Sequence, residues 1–173
     1  MRRTLLRGLA AGVAGTGAMT AHQAIRQWLA DRDRQAADGD SSDGLAGGAD
    51  PWDGAPAPAQ VGRRLIEGLL RRPVLPSAIP ILTRVMHWSY GRLWGAVYAV
   101  ARESLRSRAR LPGPVFGAGV WAASYAQLVP LGIYEPPWRY PLGSLADELG
   151  YHLTYGTTVA KTYELTGGAG TAI

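Results

Sequence analysis

Small and apolar residues recur at helical spacing along most of this chain. From about Thr4 to Trp28, Gly8-x-x-x-Gly12 and Ala10-x-x-x-Ala14-x-x-x-Ala18 predict a first helix whose small faces admit a second backbone at close range. Residues 59–72 predict an amphipathic helix, with Val61, Leu65 and Leu69 every four residues among Arg63, Arg64, Arg71 and Arg72. That pattern fits either an interfacial helix on anionic headgroups or a surface helix packed on a bundle. A second bundle helix is expected from about Pro80 to Ser104, ended by the Arg-rich stretch 102–110 and Pro112-Gly113-Pro114. A third runs from about Val115 to Val129, where Pro130 stops or kinks it. The fourth begins near Ser144, a cap with Asp147 three residues later, and reaches about Thr166.

Two of these helices carry the same pattern. His87, Tyr90, Gly91, Gly95 and Tyr98 reappear 65 residues later as His152, Tyr155, Gly156, Ala160 and Tyr163. At about 100° per residue these positions form one stripe roughly 140° wide. It is a packing face with notches for a neighbouring backbone and a few polar atoms inside it. Gly113-x-x-x-Gly117 also echoes Gly8-x-x-x-Gly12. The chain therefore reads as two helix pairs, each a glycine-rich helix followed by a His-Tyr-Gly helix.

Between the first two bundle helices, residues 31–58 hold seven Asp among Gly, Ala, Ser and Pro, a composition suited to a flexible linker. Asp38-Gly-Asp40-Ser-Ser-Asp43-Gly44 has a faint likeness to a calcium loop, but its spacing is off by one and the distal Glu is missing.

Charge then bears on location. Pro112 to Tyr134 is a run of 23 residues without Asp, Glu, Lys or Arg, and Gly8 to Ile25 is a run of 18. The first is long enough for about 30 Å of hydrocarbon. The N-terminal run is glycine-rich and continues into His22, Arg26 and Trp28, which favours a retained helix over a cleaved signal. Six Trp and eight Tyr against one Phe suit interfaces. The connection Tyr134-Glu-Pro-Pro-Trp-Arg-Tyr-Pro141 has the composition of an interfacial anchor. These features predict an all-α, four-helix, multi-pass bundle in the cell membrane, with the amphipathic helix in its first loop; a soluble bundle is the alternative. The 102–110 loop holds four Arg and the 135–143 loop one, which favours an inside N-terminus. The expected partners are the lipid bilayer and a second copy of the chain. The net charge of +5 would also suit nucleic acid, but no motif supports that partner. With no cysteine, disulfides and thiolate metal sites are excluded.

The run Gln127-Leu-Val-Pro130-Leu-Gly132-Ile-Tyr-Glu-Pro136-Pro-Trp138, followed by Glu148-Leu-Gly-Tyr-His152, resembles the YagU-like family of small bacterial integral membrane proteins. The likeness is best over residues 80–156. It implies a membrane location and no assigned biochemistry. The Asp-rich linker and the Tyr151 that separates Gly150 from His152 depart from the family pattern, which would set Gly and His side by side.

Three histidines are all the chain has. If the helices alternate in direction, His22, His87 and His152 lie within roughly 5 Å of one depth, with Gln127 and Glu148 in the same layer. Such a layer has three readings: hydrogen bonds that fix helix packing, a proton-linked transport site, or a haem or metal site through paired histidines. Arg92 either pairs with Glu148 or Asp147 or reaches outward. No nucleophile stands beside a base and an acid: Ser89 is two residues from His87 and points elsewhere. The expected function is a non-enzymatic, structural or stress-related helix bundle without a cofactor. Gly8, Gly12, Gly91, Gly95, Gly117, Gly156 and Ala160 are its packing residues.

Overall fold

A computed structural model of the chain describes residues 1–37, 50–105 and 111–167. The aspartates at 38, 40 and 43 that suggested a calcium loop lie outside the described residues, as do three of the four arginines of the 102–110 loop. Within the described residues the protein is all-helical. The helices are α1 (Arg2–Ala37), α2 (Ala57–Leu70), α3 (Ile79–Ser104), α4 (Gly113–Leu128) and α5 (Leu142–Leu165), with single 3-10 turns at Pro76–Ala78 and Pro137–Arg139.

Proline sets most of the helix starts. Pro56, Pro112 and Pro141 occupy the N-cap positions of α2, α4 and α5 in extended conformation, and none of these helices has a side-chain cap. A fixed φ and a missing N–H suit that boundary. Ser144 consequently lies inside the first turn of α5 and does not cap it. Helix α1 also continues to Ala37, through the Asp31 and Asp33 that composition assigns to a linker.

No described helix is long and apolar enough to cross a membrane. This overturns the multi-pass membrane location, and it removes support for the membrane character of the bundle. The uncharged run 112–134 is divided: α4 stops at Leu128 after 16 residues, about 24 Å of helix. The chain then turns, with the amides of Ile133 and Tyr134 both donating to Leu128 O. Helix α1 is uncharged over 18 residues but rich in Gly, Ala and Thr. Arg84 and Arg92 interrupt α3, while Asp147, Glu148 and Lys161 interrupt α5.

Helix α1 lies between α3 and α5 and runs antiparallel to both; α4 lies antiparallel to α5 on the far side. The α1–α3 and α4–α5 crossings are both made by glycine. A Cβ on Gly95 would fall 2.6 Å from Gly12 Cα, and one on Gly8 would fall 2.7 Å from Gly95 O. In the second pair, a Cβ on Gly156 would fall 2.7 Å from Gly117 Cα, and one on Gly113 would fall 2.7 Å from Gly156 O. Only hydrogen in place of a side chain lets the backbones come this near.

The two pairs differ in register by one helical turn. Gly95 nests between Gly8 and Gly12, whereas Gly156, which matches Gly91 in the sequence repeat, nests between Gly113 and Gly117. Gly12 faces the carbonyl of Gly91, and Gly117 faces that of His152. The repeat therefore builds two similar crossings without placing its copies at equivalent points in them.

Helices α3 and α4 meet through rings. Phe116 stands edge-on to Tyr98 and Trp94, with centroids 4.9 and 6.1 Å away. Tyr98 and Tyr163, the last residue of each stripe, are fully buried and edge-to-face at 5.8 Å. With Ala11, Met19, Ala99, Val120, Tyr155, Val159 and Ala160 they form the main core. A small second core of Trp52, Ala55 and Ala59 packs on Val74, Ile79 and Leu82 and anchors α2 to α3.

Candidate functional site

The polar residues of the bundle gather around α5. Tyr155 is buried and its hydroxyl donates to Gly91 O at 2.6 Å. One turn or more away on the same helix, Glu148 Oε2 accepts from the Tyr125 hydroxyl at 2.7 Å. Tyr134 and Tyr140, from the turn before α5, close over Tyr125 at ring distances of 5.2 and 6.0 Å. The proposed anchor loop thus folds two of its rings inward. Gln127 is exposed, and its amide donates to the Tyr90 hydroxyl at 3.2 Å across α3 and α4.

The three histidines do not share one centre. Thr20 lies opposite His87 on α3, and its hydroxyl donates to Thr16 O at 2.8 Å. A hydroxyl has one hydrogen, so His87 Nε2 donates to Thr20 Oγ1 across 3.3 Å. The same logic holds for His22. Thr154 Oγ1 donates to Gly150 O, so His22 Nδ1 donates to Thr154 Oγ1 at 2.9 Å. Residues 20 and 22 of one helix point about 200° apart; Thr20 faces α3 while His22 faces α5, edge-on to Tyr151 at 5.0 Å. His152 Nδ1 donates to Glu148 O, one turn back on its own helix, at 2.8 Å. His22 thus reaches the expected depth on a different side of the bundle.

His87 and His152 are close enough to repel one another when charged, and burial is the larger force that lowers the pKa of His87. Burial also lowers that of His152, against the opposing pull of Glu148. Both rings are held toward the neutral form. The buried tyrosines are displaced the other way. Loss of water contact, with Glu148 nearby, pushes Tyr134 up to about 12. Burial and the bond to Glu103 push Tyr163 up to about 12, and burial raises Tyr125 and Tyr155 as well. Neutral imidazoles and neutral phenols are hydrogen-bonding groups in this setting, since forming a phenolate would require charge in a poorly solvated place.

Asp147 is paired with Arg26 at 2.7 Å, and Glu148 with Tyr125, while Arg92 is exposed. Arg92 thus takes the outward of its two readings, and Asp147 is bonded instead by Arg26, between α1 and α5. Among the described residues, no three His, Asp or Glu side chains gather where they could hold a metal ion. Among the described residues, the His87–His152 pair is what the bundle could offer a cofactor held by paired histidines. The free lone pairs there are His87 Nδ1 and His152 Nε2, the nitrogens left over by the bonds above.

A half-open cleft of about 490 Å³ lies between α2 and the 130-region turn, lined by Trp52, Asp53, Gln60, Arg63, Arg64 and Glu67 among others. Its arginines, Glu67 and Gln60 are engaged internally. Arg63 stacks over Trp52 at 4.9 Å and pairs with Glu67 at 3.1 Å. Glu67 also accepts from Val74 N, and Arg64 donates to Leu131 O. This clasp was not expected from sequence; the signal available was the Arg63-x-x-x-Glu67 spacing, one helical turn.

No family model matches the chain, and neither a curated protein nor a solved structure matches it.

Proposed function

We propose that this protein is a non-enzymatic helix bundle that acts by association, first of all with a second copy of itself. The observation that carries this reading is the outer face shared by α1 and α3. Leu5, Leu6, Leu9 and Val13 stand exposed on one side of α1, within about 100° of arc. Leu93, Val97 and Val100 stand exposed on α3. Between the helices runs a shallow apolar groove of about 410 Å³, lined by Leu5, Ala96, Val97, Val100 and Ala101. A monomer rarely leaves such a continuous apolar strip to water.

The strip also has the shape that a two-fold contact needs. An isologous interface must present both halves of its fit on one patch. Here a leucine ridge on α1 lies beside a groove floored by alanine on α3. A half-turn brings the ridge of each copy to the groove of the other. The packing glycines Gly8, Gly12, Gly91 and Gly95 are occupied within the chain, so the apolar ridge, and not the glycine notches, is the surface offered.

The interior supports the non-enzymatic half of the reading. The polar groups around α5 bond to one another or to backbone, and the buried phenols and imidazoles are held neutral. Membrane transport would require a crossing that no described helix supplies. The likeness of residues 127–138 and 148–152 to the YagU-like family brings no reaction with it.

Sedimentation velocity at tens of micromolar protein decides the matter. The parent chain should sediment as a dimer, and Leu9→Asp with Val97→Asp should sediment as a folded monomer. A parent chain that remains monomeric, or a double variant that remains dimeric, overturns the proposal.

A further inference from the structure

We infer that the outer edge of α2, with the residues that follow it, docks on the surface of an anionic lipid leaflet without crossing it. This surface is separate from the α1–α3 face. It begins where the packing of α2 on the bundle ends, in the second half of the helix. Residues Ala59 and Gly62 are the ones buried against the bundle, where a Cβ on Gly62 would lie 3.0 Å from Met86 Cγ. Leu65 and Leu69, three and seven residues further on, share the face of Gly62 but lie past the part the bundle covers: Leu65 is half exposed and Leu69 is 79% exposed. Leu70 and Leu75 are 64% and 70% exposed. Four leucines in eleven residues are thus held in water at the end of a helix whose first half is anchored.

The charge around them is of one sign on the free side. Arg64, Arg71 and Arg72 are exposed. The single acid of the helix, Glu67, is already bonded to Arg63 and Val74 N. Arg71 adopts a left-handed conformation with φ 51° and ends the helix, so the chain leaves it in a new direction through Arg72 to Leu75. An apolar edge flanked by arginine, with its acid neutralised from behind, matches a surface with negative headgroups above an acyl layer. A water-soluble protein partner would satisfy the leucines but has no general reason to be acidic. A second copy of this chain, carrying the same arginines, would repel.

The bundle end next to α2 reinforces the fit. Arg64 donates to Leu131 O and so ties α2 to the connection between α4 and α5. That connection and the start of α5 expose Leu131 and, at 81% and 84%, Trp138 and Leu142. Arg139 lies among them, paired to Glu135 at 3.0 Å. Tryptophan beside leucine and arginine is the side-chain mixture that settles at the headgroup level. The partition needs no spanning helix, only an apolar edge and a matching charge.

The test is co-sedimentation of the full chain with vesicles of phosphatidylcholine alone and vesicles with about one-third phosphatidylglycerol. Binding is expected to the anionic vesicles, to fall with added salt, and to be weak on the neutral ones. Arg71→Gln with Arg72→Gln should lower partition about thirty-fold, at about one kilocalorie per mole of surface attraction for each arginine. Leu69→Ser with Leu70→Ser should lower it at least ten-fold; all four positions are exposed, so circular dichroism should show the helices intact. Equal binding to both vesicle types overturns the inference, as does full binding by either double variant or a parent chain left in the supernatant. The Leu9→Asp, Val97→Asp monomer should still bind, which separates this surface from the self-association face.

Discussion

The hydroxyl of Tyr155 donates to the carbonyl of Gly91 across 2.6 Å, so a tyrosine of the second sequence repeat is bonded to a glycine of the first. Gly91 O is the same atom that a Cβ on Gly12 would approach to 2.5 Å. One carbonyl therefore meets α1 by bare contact and α5 by hydrogen bond. The bond is not reciprocated: the hydroxyl of Tyr90, the counterpart of Tyr155, accepts from Gln127, and Gly156 O lies against Gly113.

Tyr155→Phe removes that bond and leaves the ring in place. Thermal or urea unfolding should show a loss of about 1 kcal/mol, the usual net worth of a buried neutral hydrogen bond. The ring stacks on Phe116 at 6.4 Å, and Phe preserves that contact. A variant as stable as the parent would mean that the hydroxyl contributes nothing to holding α5 against α3.

The helix crossings predict a contrast between glycines. Gly95→Ala would put a methyl against the backbone of Gly12 and force α1 and α3 apart, at a cost of about 2–3 kcal/mol. Gly119, in α4, has no heavy atom within 4 Å of its missing Cβ, so Gly119→Ala should stabilise by up to about 1 kcal/mol through helix propensity. Urea midpoints of the two variants check this together. Equal midpoints would contradict the close crossing.

The pH dependence follows from the buried rings. His87 and His152 have pKa values lowered on folding from the ordinary 6.5. Below that value the unfolded chain binds protons that the folded chain refuses, so stability rises with pH there. The stabilising contribution is full above about 6.5 and is lost as pH falls from there toward the lowered values. At the alkaline end the sign reverses, because Tyr134 and Tyr163 are raised from 10 to about 12. Their contribution is full below 10 and lost as pH climbs from 10 to 12. The unfolding temperature should therefore form a plateau between about pH 6.5 and 10. His87→Gln with His152→Gln should flatten its acid shoulder only; an unchanged shoulder would assign it to other groups.

Much of this architecture is written in helical periodicity. The stripe of His, Tyr and Gly positions reads off the chain because side chains three, four and seven residues apart share a face, and those faces lie inward in the structure. Periodicity does not say which neighbour covers a face. That is why the one-turn difference between the Gly95 and Gly156 crossings was not legible. It is also why Leu65 and Leu69, on the same face as Gly62, could be left uncovered: the pattern does not say how far along α2 the contact with α3 extends. His22 follows the same rule: its depth was legible from its distance to the helix end, but its direction depends on where α5 lies relative to α3. The membrane location failed for a different reason. Counting uncharged residues treats Gly, Thr and Ala as apolar, and it runs through Leu128, where the backbone turns before a span is complete.

The bond between Tyr125 and Glu148 gives the sharpest test of the polar cluster as structure. At 2.7 Å, with a carboxylate as acceptor, its strength should exceed that of the neutral Tyr155 bond, at about 1.5–3 kcal/mol. Tyr125→Phe leaves Glu148 without its phenol, and Glu148→Gln leaves Tyr125 a weaker neutral acceptor. Each single variant should destabilise. If the pair acts as one unit, the double variant should cost less than the sum of the two, by about 1 kcal/mol or more. A double-mutant cycle on urea unfolding measures that coupling. Additive losses would show that Tyr125 and Glu148 each serve other neighbours, and that the rings of Tyr134 and Tyr140, not this bond, hold the turn against α5.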